Sequence, residues 1–154
     1  MNWWISYAEQ TLTEDVPGTP AEVRGFYLDL GNLESVHPLI VSVRTTSRRE
    51  TVDGYVCNYR ITDRIPLWCV SLPISYRAQL SVPHVGDVIT TARQFPQVRL
   101  DGTVSFDAID SGTRVTELLR ITAPRPLAAV TTRQAVEAHI AMFAGIRRHF
   151  QSSP

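Results

Sequence analysis

The last long stretch of the chain, from Pro126 to Phe150, carries hydrophobic residues at helical spacing, and no glycine interrupts it before Gly145. On a wheel of 3.6 residues per turn we assign one apolar set to a common face. This set is Ala129, Val136, Ile140, Phe143, Ile146 and Phe150. Pro124 and Pro126 suit the entry, because proline is tolerated in the first turn. The pattern predicts one long C-terminal helix that needs a wide apolar surface opposite it.

Between residues 40 and 121, apolar and polar positions alternate with a period of two, which is typical of strands with one buried face. The clearest run extends from Trp68 to Val82, and Pro73 within it indicates an edge position or a bulge. Asp53-Gly54 is a strong hairpin signal. A further strand is predicted from Trp3 to Leu12. The patterns therefore predict one strand near the N-terminus and six later ones.

A short helix is predicted after the first strand. Thr19-Pro20-Ala21-Glu22 supplies a capping residue, a proline for the first position and a glutamate able to complete a capping box. Apolar residues then recur at helical spacing from Val23 to Leu30, and the helix is expected to stop near Gly31. Residues 32–39 leave room for another turn before Pro38.

Hairpin turns between successive strands require antiparallel pairing, and a sheet with a single dry face must cover that face. Only the terminal helix is long enough to do so. We predict an α+β fold with a single domain over residues 1–154, in which a curved seven-stranded antiparallel sheet grips the C-terminal helix in the order β-α-α-β6-α. A curved sheet and a straight helix cannot touch along their whole length, so space is expected beside the helix.

Several aromatic residues fall on inward positions, where they could line a cavity or simply fill the core. Tyrosine and tryptophan combine a large apolar surface with one polar group, which suits a pocket for a hydrophobic ligand. The predicted ligand contacts are Tyr27, Tyr55, Tyr59, Trp68, Tyr76, Phe106, His139 and Phe143.

Two ionisable residues are candidates for catalysis. His139 lies on the apolar side of the last helix, where it is either an acid or base with a pKa near neutrality or a core histidine satisfied by a neighbour. Glu117 falls on the same side of its strand as Val115 and Leu119. A buried carboxylate must be paired, so Glu117 is a base, a ligand contact or a partner of an inward arginine, unless a bulge turns it to solvent.

Composition narrows the function. The formal net charge of the 154 residues is zero, and lysine is absent, as is typical of a high-GC bacterial coding sequence. The arginines are scattered over outward strand positions without exposed aromatic residues beside them, so nucleic-acid binding is not expected. No leader and no run of about 18 apolar residues occurs, so we expect a cytoplasmic protein without an integral membrane segment.

The cysteines and the standard motifs add little chemistry. Cys57 is predicted to face inward and Cys69 outward, so no disulfide is expected. No cysteine and histidine group has zinc-ligand spacing, and no nucleotide-binding or metalloprotease motif occurs. Neither a metal nor a cofactor is expected.

The element order, the Thr19-Pro20-Ala21-Glu22-Val23 helix opening, the His37-Pro38 that follows and the long final helix resemble the START-like, or SRPBCC, superfamily. Within it, the chain is most similar to polyketide cyclase/dehydrase and lipid-transport proteins. The resemblance implies a helix-grip fold with an apolar cavity between sheet and helix, used for lipids, polyketides or aromatic molecules.

Three functions remain open on this resemblance. The first is binding of a hydrophobic small molecule, and the second is a polyketide cyclase or dehydratase that uses the same cavity. The third is a protein-interaction module, such as a chaperone activator or a toxin–antitoxin component. A homodimer also remains open, because an exposed edge strand can pair with a second copy.

Overall fold

The computed structural model describes residues 3–67 and 69–152, and the predicted element order is confirmed. The strands are β1 (Ile5–Val16), β2 (Ile40–Glu50), β3 (Gly54–Leu67), β4 (Val70–Pro83), β5 (Val88–Gln94), β6 (Val98–Ile109) and β7 (Gly112–Pro124). The helices are α1 (Pro20–Leu28), α2 (Leu30–Val36) and α3 (Arg125–Gln151). None of the helices in these described ranges is long and apolar enough to cross a membrane.

All seven strands form one antiparallel sheet in the order β1-β7-β6-β5-β4-β3-β2. β1 pairs with β7 along its whole length, so β1 and β2 are the two edges. Gly112 begins β7 with φ at 143°, and a Cβ there would overlap the carbonyl oxygen of Val16. Glycine is therefore required where β7 passes the end of β1.

The predicted capping box starts α1. The Thr19 side chain accepts the N–H of Glu22 at 3.2 Å, and the Glu22 carboxylate accepts the N–H of Thr19 at 3.0 Å. Val23 and Tyr27 then face the core and are buried. Asp29 caps the short α2 in turn, so two short helices cross one end of the sheet.

The long helix α3 packs mainly against β1 and β7, with α2 contacting both α3 and β2. Its buried residues lie in the second half: Ala138, Met142, Phe143, Gly145 and Ile146. The assignment of Ala129 and Ile140 to the buried face was wrong, since Ala129 is exposed and Ile140 is 52% exposed. At 100° per residue, Ile140 lies about 120° round the helix from Ile146, which turns it away from the sheet.

The β3–β4 hairpin extends beyond the rest of the sheet. β5 pairs with β4 only from Arg77 to Ser81, so the first part of β4 has a neighbour on one side only. Pro73 lies in this part, which confirms the predicted edge position. Val70 and Leu72 alternate in step with the buried Ala78, which predicts that they face inward, but they are 60% and 43% exposed because neither β5 nor α3 reaches them.

The two cysteines are separate and free. Cys57 is buried on the inner face of β3, and Cys69 is exposed beside the start of β4. The inward orientation predicted for Cys57 is confirmed, whereas Cys69 lies in the turn before β4 rather than within a strand.

Candidate functional site

A cavity of about 180 Å³ lies over the part of the sheet that α3 leaves uncovered. Its floor comes from β3, β4 and β5, and its walls come from α2 and from the side of α3 that faces them. The apolar lining includes Leu33, Ile61, Leu80, Leu100 and Met142. An apolar cavity of about 150 Å³ is large enough to hold benzene, so this one has room for about one aromatic ring or a short acyl group.

The cavity reaches towards the surface beside the first half of α3. Thr131, Gln134 and Ala135 line it from the helix and are half-buried, and Ile65 lines it from β3. The side chains in the first half of α3 are less buried than those in the second half, so the cavity is open along this part of the helix.

The strongest polar contact in the cavity joins α3 to β7. His139 Nδ1 lies 2.6 Å from Glu117 Oε1, and the two side chains are 18% and 0% exposed. Burial alone would lower the pKa of His139, but the negative charge and hydrogen bond of Glu117, with a smaller effect of Asp63, raise that pKa above 6.5. The pair therefore favours the imidazolium–carboxylate form more strongly than a free histidine favours protonation.

Glu117 has one oxygen without a partner. Its Oε2 is buried and makes no hydrogen bond within the described residues. A Cβ at residue 102 would lie 2.9 Å from this atom and would overlap Thr90 Oγ1, so Gly102 creates the space that the carboxylate occupies. The orphan oxygen is an acceptor next to the cavity, since Thr90 lines it.

A second carboxylate faces the cavity from β3. Asp63 is only 8% exposed, and Tyr76 of β4 donates its hydroxyl hydrogen to Asp63 Oδ1 at 3.2 Å. Burial raises the pKa of Asp63 from 3.8 to about 6, against the smaller lowering effects of Tyr76 and His139. Asp63 therefore changes charge close to neutral pH, which is unusual for an aspartate.

His37 completes the polar side of the cavity. Its ring centre lies 5.9 Å from that of His139, and its Nδ1 accepts the backbone N–H of Leu39 at 3.2 Å. Burial, with a smaller effect of the charge on His139, lowers the pKa of His37 to about 3. His37 is therefore neutral at pH 7, and because Nδ1 is the acceptor, Nε2 carries the hydrogen.

Of the predicted ligand contacts, Tyr27, Tyr76 and His139 line the cavity. Four other predicted contacts lie outside the lining: Tyr55, Tyr59, Phe106 and Phe143. Arg48 stacks 3.9 Å above the Tyr55 ring, Phe106 packs 5.6 Å from Tyr27, and Phe143 is 2% exposed in the core. Trp68, the remaining one, falls outside the described residues.

Two cavity residues, Asp63 and His37, were not among the predicted site residues. Asp63 continues the inward series Cys57, Tyr59, Ile61 by one more step of two, so the alternation contained a signal for it. His37 has no periodic signal in the sequence, and the turn after α2 folds it over the cavity. In the described ranges, no group of three histidine, cysteine or acidic side chains is arranged to hold a metal ion.

The comparisons with known proteins concern the fold. No family model matches the chain, and the search of curated proteins found no match. Among solved structures, TTHA0849 from Thermus thermophilus is similar with a TM-score of 0.70 and 18% identity, covering 97% of this chain and 99% of that one.

Two aromatase/cyclase structures are similar as well. The Zhui aromatase/cyclase from Streptomyces sp. R1128 has a TM-score of 0.66 and 14% identity, with 96% of this chain and 97% of that chain covered. The di-domain ARO/CYC BexL from the BE-7585A biosynthetic pathway has a TM-score of 0.73 and 13% identity, with 96% of this chain and 51% of that chain covered. These similarities show a shared fold, a helix grip in which a curved antiparallel sheet wraps a long C-terminal helix.

Proposed function

We propose that the protein binds a small hydrophobic molecule in the cavity between the sheet and α3. The supporting observation is the cavity itself, in which an apolar lining meets ionisable groups on one side: His37, Asp63, Tyr76 and His139. A concave apolar space with a few convergent polar groups is the usual form of a ligand site.

The polar groups favour a ligand with a hydroxyl or carbonyl oxygen. Neutral His37 carries a hydrogen on Nε2, and protonated His139 carries one on the nitrogen that does not face Glu117. No acceptor for either hydrogen is found in the described part of the chain. An oxygen atom of the ligand would accept from these donors while the rest of the molecule packs against the apolar lining.

The volume limits the size of the buried part. Ligand pockets usually span about 300–1,000 Å³, and this cavity is smaller at about 180 Å³. A single ring or a short acyl chain is therefore the expected buried group. A second ring or a longer chain would lie along the half-buried start of α3, so a bicyclic probe such as naphthol places one ring in the cavity and the other beside the helix.

Native mass spectrometry of the protein purified from a bacterial host tests this proposal. We expect a population with an added mass that organic solvent extracts as an apolar oxygen-containing molecule. As a second measurement, a fluorescent naphthol should bind with one-to-one stoichiometry. Absence of both a retained molecule and naphthol binding would contradict the proposal.

The second candidate is an enzyme of the cyclase or dehydratase type, favoured by the His139–Glu117 ion pair. His139 lines the cavity and would donate a proton to a carbonyl oxygen of the substrate, while the Asp63 carboxylate, which lines the same cavity, would accept the proton lost from the neighbouring carbon. Glu117 is fully buried and bonded to His139, so it would act as a positioning residue that keeps the imidazole protonated.

Deuterium exchange at the carbon next to the carbonyl of indanone, followed by NMR, tests for enolisation. We expect exchange to be faster with the wild-type protein than with His139→Gln, and Glu117→Gln should move the pH at which exchange is half-maximal. If the wild type does not accelerate exchange while naphthol still binds, the binding proposal stands and the enzymatic one is wrong.

A further inference from the structure

A row of arginines crosses the outer face of the sheet, opposite the cavity. In the strand register each one pairs directly with the next, across four consecutive strand pairs. The row consists of Arg44 of β2, Arg60 of β3, Arg77 of β4, Arg93 of β5 and Arg99 of β6.

All five side chains belong to solvent-exposed residues. Their neighbours along each strand face the cavity or the core, as Ile61 and Ala78 do, so the row stands on the convex side where no helix packs. Adjacent strands lie about 4.8 Å apart, which gives the row a length of about 19 Å.

Few acidic side chains pair with the arginines of the row. Arg99 pairs with Asp101 at 2.8 Å, but the other four arginines have no acidic partner within residues 3–67 and 69–152. The same face behaves differently near β1 and β7, where exposed arginines are neutralised across strands. Arg114 pairs there with Asp15 at 2.9 Å, and Arg120 pairs with Glu9 at 3.0 Å.

Like charges directly opposite each other destabilise a sheet. Carboxylates opposite the arginines would remove this repulsion, as they do at β1 and β7, yet four arginines of the row have no carboxylate partner among the described residues. We propose that this arginine row is a docking surface for an acidic segment of a partner protein, whose carboxylates would pair with the exposed guanidinium groups.

Carboxylates fit the row better than nucleic acid does. Single-stranded nucleic acid binds through aromatic stacking as well as charge. The outward positions beside Arg60 and Arg77 are small or polar, such as Asn58, Thr62, Ser75 and Gln79. Two exposed aromatic residues, Tyr7 and Phe95, lie only at the Arg93 and Arg99 end of the row. The chain has no net charge, and a long phosphate polymer leaving the row would meet the carboxylate of Asp101. A compact acidic patch about 19 Å long avoids both problems.

Binding of fluorescently labelled poly-L-glutamate, followed by anisotropy at low salt, tests the proposal. The double variant R60Q/R77Q removes two arginines of the row, and R114Q/R120Q removes two neutralised arginines of the same face as a charge-matched control. Each lost contact between exposed charges should weaken binding about three- to fivefold. We expect R60Q/R77Q to bind at least about tenfold more weakly than wild type, and the control to bind nearly as well.

Thermal unfolding checks that the variants fold, and the midpoint of R60Q/R77Q should equal or exceed that of wild type because repulsion is removed. Equal weakening in both variants, or no binding of poly-L-glutamate by the wild type, would overturn the proposal. Tighter binding of a DNA duplex or of phosphatidylserine vesicles, with the same dependence on Arg60 and Arg77, would also overturn it, because the partner would then be a phosphate-bearing one.

Discussion

The substitution Glu117→Gln probes the ion pair on the cavity wall with almost no change in volume. In the wild type, the carboxylate holds His139 protonated through a 2.6 Å contact with its Nδ1. The glutamine amide keeps a hydrogen-bonding group at this position but removes the charge. Burial is then the main remaining influence on His139, and it acts in the opposite direction. We expect the pKa of His139 to fall from above 6.5 in the wild type to below 6.5 in the variant.

The loss of stability should depend on pH, with a sign fixed by these two shifts. The raised pKa of wild-type His139 stabilises the fold below about pH 6.5, and this contribution disappears as pH rises through the folded-state pKa. In the variant, the lowered pKa makes the fold less stable as pH falls. The difference should be about 3–5 kcal/mol at pH 5, as for other broken buried pairs. At pH 9, where the imidazole is neutral, loss of the hydrogen bond is partly offset by removal of an unpaired buried carboxylate, so the difference should be below about 1 kcal/mol.

Urea unfolding at pH 5, 7 and 9 measures the stability difference, and NMR titration of the imidazole resonances measures the pKa of His139. Glu9→Gln is the matched control, because Glu9 pairs with Arg120 on the exposed face. That change should cost less than about 1 kcal/mol at every pH. The reasoning is refuted if Glu117→Gln destabilises equally at pH 5 and pH 9, or if the His139 titration does not move.

The remaining predictions concern the other carboxylate and the space beside Glu117. Asp63→Asn should stabilise the protein by about 1–2 kcal/mol at pH 8 and by much less at pH 4. The folded-state pKa of Asp63 is about 6, above its ordinary value of 3.8, so the wild type loses stability as pH rises from about 4 to about 6. Urea unfolding at pH 4 and pH 8 checks this. Gly102→Ala should cost about 1–3 kcal/mol by crowding Glu117 Oε2. In Gly25→Ala the added Cβ meets no neighbour within 4 Å, so this variant should instead stabilise α1 by about 0.5–1 kcal/mol. Thermal unfolding measures both glycine variants, and equal shifts of their unfolding midpoints would contradict the packing argument.

Local patterns determined most of the fold. The capping box at Thr19, the alternation through Cys57, Tyr59 and Ile61 and the long helical period near the C-terminus each act within a few residues. Their signals are therefore visible in the sequence, and the element order follows from them. The helical wheel predicted the buried residues of α3 less accurately. Ile140 lies at the margin of the apolar arc, and only packing decides whether a residue there is buried.

The site depends on relationships that no local pattern contains. The contact between Glu117 and His139 requires the angle at which α3 crosses β7, although both residues could be selected as inward candidates. The polar turn that brings His37 over the cavity has no period at all. The arginine row was invisible for a similar reason: its members lie scattered along the chain, and only the register of five neighbouring strands places them side by side.

The central claim is that a ligand occupies the cavity between the sheet and α3, and calorimetric titration with naphthol before and after filling that cavity tests it most directly. Ala135→Phe places a ring in the cavity from α3, whereas Ala129→Phe adds the same ring at an exposed position of the same helix. Both variants should fold, which thermal unfolding can verify. We predict that naphthol binds the wild type and Ala129→Phe with one-to-one stoichiometry and that Ala135→Phe does not bind it. Undiminished binding by Ala135→Phe would contradict the claim.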